Sequence, residues 1–183
     1  MLIHRIEASD ANHAAAALAD ARPDDLAVVV PADTGLIALH DDAIADTIAL
    51  FDGGIAVGAS TRPCGAADED AAFIDALVEQ LGDRPYRVHP HPLAFAGPAA
   101  AVRSLLEDLA ASDATPVGAI VDAFARGAHD LVLDLGAQVV RVLDGTGTDV
   151  VGVDGGFAAG PERPAAVVGT ASECEALRVA WAD

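Results

Sequence analysis

Two hydrophobic periods alternate along this chain, and together they predict a sheet covered by helices. Residues 26–30 are five consecutive apolar positions, three of them valine, entered from Asp24-Asp25 and left through Pro31-Ala32-Asp33, with Gly35 two residues on. A continuous apolar run of this length bounded by turn residues is how a buried parallel strand reads when it delivers a carboxylate to its C-terminal end. Shorter strand-like pieces occur at 2–6, 48–51, 55–57, 150–153 and 164–168. Two more lie within 130–141, split near Gly136. Helical spacing of apolar residues predicts helices over about 12–21, 71–81, 99–110, 117–126 and 171–181. Strands and helices alternating in this way predict an α/β fold, a single three-layer domain on a central mixed sheet.

Local signals sharpen several boundaries. Ser9-Asp10-Ala11-Asn12 opens the first helix and Arg22-Pro23 closes it. Asp41 or Asp42 is placed to cap a short helix at 43–48. The stripe of the 71–81 helix is read as Phe73, Leu77, Val78 and Leu81, and that of 99–110 as Val102, Leu105, Leu106 and Leu109. Asp113-Ala-Thr-Pro116 caps the next helix, read from Val117, with proline near its first turn. Three prolines between Pro90 and Pro98 mean that this stretch is not an internal strand throughout. Residues 144–149 read as a turn or hairpin loop. Oxygen-bearing side chains recur from Asp144 to Asp154, but the spacing of an EF-hand loop and its closing Glu are absent.

Composition changes the picture mainly through charge. The chain has 29 acidic residues, 22 Asp and 7 Glu, against 10 basic ones, all Arg, for a net charge of −19. Phosphate neutralisation needs clustered bases, so nucleic acid is not an expected partner. An Asp-rich, Lys-free surface suits a protein kept soluble in very high salt, where screening removes self-repulsion; a GC-rich genome gives the same bias. The start of the chain lacks a basic segment followed by an apolar run, and no 18-residue apolar stretch occurs, so neither a cleavable leader nor membrane insertion is expected.

Candidate chemistry is sparse. Asp33, at the end of the central strand, suits either a metal or nucleotide-phosphate contact or a turn or helix cap. His89 and His91 flank Pro90 and are expected to point apart, which leaves room for one functional imidazole and not for both on one metal. Cys64 and Cys174 are 110 positions apart, with no zinc-site spacing and no inferable disulfide. Cys64, near Arg62, suits mild activation or a buried structural role. Gly53-Gly54 and Gly155-Gly156 lack the pattern of a phosphate loop, and no Ser sits within GxSxG.

The order of these segments resembles the glycosyltransferase domain of the procollagen-lysine glycosyltransferase group. In that family a helix and a DLV-type strand lead to a TDSYDV-like motif, an order matched by residues 14–21, Asp25-Leu-Ala-Val-Val-Val30 and Pro31-Ala-Asp-Thr-Gly-Leu36. An LFSAE segment and a Cys-containing loop are similar to Ala49-Leu-Phe-Asp-Gly53 and Arg62-Pro-Cys-Gly65. A YRYLNSGGFIG segment resembles residues 86–97, and an LD strand with its IFQ-like continuation resembles Leu133-Asp134 through Gly145. The likeness spans residues 12–170. It implies a GT-A-like fold, a UDP-sugar donor and a divalent ion such as manganese (Mn2+).

The departures from that pattern bear on activity. The family's first metal-binding acid falls on Asp33, the second on Leu36, and the metal-binding His of its PxxxHGN segment on Val168. Its Asn-Ser pair is replaced around His89, Pro90 and His91, its acceptor-side acids are reduced to Asp113, and its amino-terminal sheet is cut to a stub, 1–6. A metal-assisted transfer needs the ion to neutralise the leaving diphosphate, so two missing ligands count heavily. The expectation is a truncated, degenerate relative: a non-catalytic structural or protein-interaction protein without cofactor, with protein partners in a larger assembly such as a virion from a halophilic system, and compatible with an oligomer. The alternative is a UDP-sugar-dependent glycosyltransferase with a rebuilt site in which Asp33, Asp134, His89 or His91 remain.

Overall fold

Strand β2 (Leu26–Pro31) forms from the apolar run, and its four central residues are buried. The computed structural model describes residues 1–64, 71, 73–75, 77–79, 82, 88–143 and 150–182. β2 pairs in parallel with β1 (Ile3–Ala8), which runs two residues beyond the stub expected at 1–6. The helix between them, α1 (Ala11–Ala17), starts where Asp10 accepts the His13 backbone N–H, and it ends earlier than its Ala-rich sequence suggests.

After β2 the chain turns into the short strand β3 (Gly35–Ile37). The turn needs glycine, because a Cβ at Gly35 would overlap the Val30 side chain. Next comes α2 (Asp41–Ala49), whose N-cap is His40, with Asp41 and Asp42 in the first turn and not capping. Ile48 and Ala49, expected to open an apolar strand-like piece, end this helix. β4 (Ile55–Ser60) is wholly buried. Residues 71, 73–75 and 77–79 are helical. There Ile74 is the buried position, while Phe73 stacks on Phe124 with ring centroids 5.2 Å apart. The expected core position Leu81 lies outside the described residues.

β5 (His89–Pro98) then runs antiparallel between β2 and β4. Its pairing with β2 covers only Phe95 to Pro98, so Pro90 lies where β5 pairs with β4 alone, opposite Ala59, and Pro92 falls in the irregular stretch of that β4 ladder. This is the arrangement that prolines without an N–H permit. α3 (Ala99–Ala111) and α4 (Pro116–Ala125) follow as expected, the latter capped by the Thr115 hydroxyl accepting the Gly118 N–H at 3.2 Å. β6 (Leu131–Asp134) and β7 (Val140–Val142) both run parallel to β4. β8 (Val151–Val153) and β9 (Gly156–Ala158) make a separate hairpin. β10 (Ala166–Val168) pairs with β7 and β3. The terminal α5 (Ala171–Ala182) opens with a reciprocal capping box, Thr170 N–H to Glu173 at 2.7 Å and Glu173 N–H to the Thr170 hydroxyl at 3.3 Å. The residues expected as a loop at 144–149 lie outside the described ones.

The main sheet is mixed, with order β1-β2-β5-β4-β7-β10-β3 and β6 beside β4. Side-chain alternation divides the core into two. Val28, Val30, Ala94 and Ala96 face α2 and α5 through Ile44, Ile48, Cys174 and Leu177. Ala27, Val29, Leu93 and Phe95 face α1, α3 and α4 through Leu18, Val102, Leu105, Leu106 and Ile120. The result is three layers, helices on both faces of a central mixed sheet. Each fully buried large side chain contributes about 1.5–3 kcal/mol from burial. No disulfide joins Cys64 and Cys174; Cys174 is buried and Cys64 is half-buried. Among the described residues, no helix is long and apolar enough to cross a membrane.

Candidate functional site

β1, β2, β4, β7 and β10 share one direction, so their C-terminal ends define one edge of the sheet, where α/β folds hold ligands. Asp33 sits at this edge just past β2. Its side chain is exposed and makes no hydrogen bond or ion pair to the described residues. It belongs to the turn that the Thr34 N–H closes on the Pro31 carbonyl at 3.4 Å. No helix follows, so the capping role considered for it does not arise. β3 instead crosses to β10, pairing Leu36 with Val167 and Gly35 with Val168, and the Gly169 N–H donates to the Thr34 carbonyl at 2.8 Å. Position 168, far away in sequence, is therefore brought beside the turn and strand that hold positions 33 and 36. Two of the three are apolar, Leu36 and Val168, each only 3% exposed.

Asp134 is elsewhere in the sheet and does another job. Opposite Gly58 of β4, it ends β6, and its carboxylate turns back over the next residues. It accepts the backbone N–H groups of Gln138 at 2.8 Å, Val139 at 2.7 Å and Val140 at 2.9 Å. With 1% exposure it staples the chain where β6 leaves the sheet and β7 re-enters it. For Asp134, considered from sequence as part of a metal or nucleotide site, the structure shows oxygens turned onto this chain's own backbone.

His89 and His91 both lie on β5, at the same edge as Asp33. Positions two apart on a strand share a face, so the expected divergence does not follow from strand geometry. What separates them is their surroundings. His89 is buried opposite Ser60. His91 is half-buried, and its Nδ1 accepts the Leu93 N–H at 3.2 Å. Burial pushes the His91 imidazole down to about 4, so it is neutral at ordinary pH and carries its proton on Nε2 while Nδ1 accepts. In that tautomer Nε2 has no lone pair for a metal. The β2–β5 ladder stops at Val29–Phe95, before the register in which Asp33 would stand across from His91.

Asp25 is the buried acid that the sequence pattern hid, since it reads as a polar boundary before the strand. Its carboxylate is 2% exposed and accepts from the Arg22 guanidinium at 3.1 Å, the Leu2 N–H at 2.7 Å, the Arg22 N–H at 3.1 Å and His4 Nε2 at 3.2 Å. The Arg22 hydrogen bond, helped by the others against the cost of burial, holds the carboxyl well below the usual carboxylate range. These bonds pin the entry of β1 to that of β2. The available signal was an Arg three residues before an Asp at the start of an apolar run.

Among the described residues, no group of three His, Cys, Asp or Glu side chains comes together in a way that would hold a metal ion. The manganese set implied by the glycosyltransferase resemblance is not reproduced at its own positions: Asp33 stands there with Leu36 and Val168, and aliphatic side chains offer no lone pair. No protein-family model matches the chain, and no curated protein matches it.

Proposed function

We propose that this chain is a non-catalytic structural or protein-interaction protein built on a truncated, GT-A-like glycosyltransferase scaffold, without cofactor, and a component of a larger assembly such as a virion from a halophilic system. The observation that carries the reading is the corner formed by the β2–β3 turn and the end of β10. There the turn holding Asp33 and the strand holding Leu36 run beside Val168 of β10, so the positions that the resemblance would use for metal are filled by one solvent-facing carboxylate and two buried aliphatic side chains. A lone carboxylate in water holds a divalent ion too weakly to stabilise a leaving diphosphate. The scaffold is kept and the chemistry is lost.

The rival reading, a UDP-sugar-dependent transferase rebuilt around Asp33, makes the opposite forecast in one experiment. Calorimetry with UDP and manganese at low salt and at about 2 M salt should show no saturable binding below about 1 mM, an affinity of about 4 kcal/mol. Saturable micromolar binding would defeat the non-catalytic reading. Melting curves of the same samples address the halophilic part: the midpoint should rise with salt as repulsion among carboxylates is screened. A flat or falling midpoint would assign the Asp bias to the genome instead.

A further inference from the structure

A cleft of about 340 Å³ opens at the C-terminal edge of the sheet, on the side of α1, α3 and α4. Its wall is apolar, made by Pro92 and Leu93 of β5, Leu109 and Ala110 at the end of α3, and Pro116. The single ionisable side chain lining it is Asp10. Asp10 accepts the His13 N–H at 2.9 Å on one oxygen and the Ser9 hydroxyl at 2.9 Å on the other. Those two bonds, the backbone one first, hold its carboxyl below the ordinary value. A carboxylate has about four lone-pair sites, so Asp10 retains accepting capacity toward the cleft.

A second feature has the same sign. α3 is 13 residues long and brings its C-terminal end to the cleft, and its last turn contains no basic residue. The partial negative charge of that helix end is therefore without the cation that commonly offsets it. The start of α4 contributes little in opposition, because Pro116 has no N–H and the Gly118 N–H is taken by Thr115.

We infer that this cleft is a docking site for a basic side chain, Arg or Lys, presented by a protein partner. Such a side chain has an apolar stem and a charged tip, the combination that an apolar wall ending at one carboxylate accommodates. The volume lies near the lower end of about 300–1,000 Å³ seen for ligand pockets, which suits one or two side chains better than a nucleotide sugar. A chain of net charge −19 with no Lys also draws basic partners by its long-range field. The site deepens the protein-interaction reading and rests on it.

The test uses the full chain, labelled with ¹⁵N, titrated with the N-acetyl methylamides of arginine, lysine and norleucine. The basic probes should shift the amides of Asn12, His13, Leu93 and Ala114 saturably, and norleucine should not. Asp10→Asn preserves a good helix cap and should weaken the basic probes by about tenfold, the loss of one charge-assisted hydrogen bond. Ala114→Trp, on an exposed loop, should block the cleft with Asp10 intact. Equal shifts from norleucine, shifts spread over the whole acidic surface, affinity unchanged in both variants, or no saturable shift would each overturn the inference. Free lysine and arginine should bind no more tightly than the blocked forms; tighter binding would make the occupant a free amino acid and overturn the protein-partner assignment. The UDP–manganese titration is read by calorimetry and by Asp33→Asn, whereas the cleft is read by amide shifts and by Asp10→Asn, so failure of either reading is visible without the other.

Discussion

Asp33 and Asp134 both follow short apolar runs, and in sequence each looks like an acid delivered to the end of a strand. In the fold they have nothing in common. Asp134 is enclosed because the five residues after it loop out and return beside β4, bringing the N–H groups of Gln138, Val139 and Val140 to its oxygens. Asp33 is left in solvent because the chain after it makes a tight turn in which Gly35 packs against Val30, and then runs on as β3 paired with β10. The path of the following backbone, more than the strand that precedes it, decides whether such an acid becomes a structural staple or an exposed group.

The largest expected effect tests the staple. Asp134→Ala leaves the buried Val139 and Val140 N–H groups without their carboxylate, each worth about 1–3 kcal/mol, while the exposed Gln138 N–H can turn to water, so the loss should be at least about 2 kcal/mol. Urea denaturation measures it, and hydrogen exchange should speed up first at residues 138–140. A loss below about 1 kcal/mol would mean that the loop is held by something else, and the contrast between the two acids would collapse.

A middle-sized effect extends the contrast to Asp25, a second buried carboxylate. Its folded pKa lies below its unfolded one, so the folded state holds the proton less tightly. The stabilisation is then complete above the unfolded value, near about 4, and drains away as pH falls through the window beneath it. Acid unfolding of Asp25→Asn beside wild type should show a variant that is weaker at neutral pH and flatter below pH 4. Parallel curves would remove Asp25 from the account of acid stability.

The smallest effect belongs to Asp33. Asp33→Asn should change unfolding free energy by no more than about 0.5 kcal/mol, as for surface positions without partners. It should also leave manganese affinity, measured by calorimetry, as weak as in wild type. Metal binding present in wild type and lost in the variant, with stability unchanged, would reverse the comparison and make Asp33 the functional acid.

The α/β class, the central strand, the helices expected at about 99–110, 117–126 and 171–181 and found at 99–111, 116–125 and 171–182, and the division of 130–141 at Gly136 were legible in sequence. They rest on local causes: hydrophobic period, caps such as Thr115, and breakers such as Pro116 and Gly136. Other features were not legible because they depend on register between distant segments. Pro90 and Pro92 proved compatible with an internal strand because β2 stops pairing with β5 before reaching them. Leu36 and Val168 became neighbours of the Asp33 turn only through the antiparallel match of β3 with β10. Asp25 appeared as a boundary residue, and its burial came from Leu2 and His4 arriving on the adjacent strand.

By itself, the sequence determined the α/β class, the central strand and the helices after residue 98, how acidic the chain is, and that Asp33 would follow the central strand at its C-terminal end. Only the tertiary structure decided that Asp134 is consumed by its own backbone, that His91 is neutral with Nδ1 engaged, and that the cleft beside Asp10 exists at all. The physical reason is range. Period, propensity and capping act over a few residues, whereas the burial of a charge and the partners that satisfy it are set by segments brought together from across the chain.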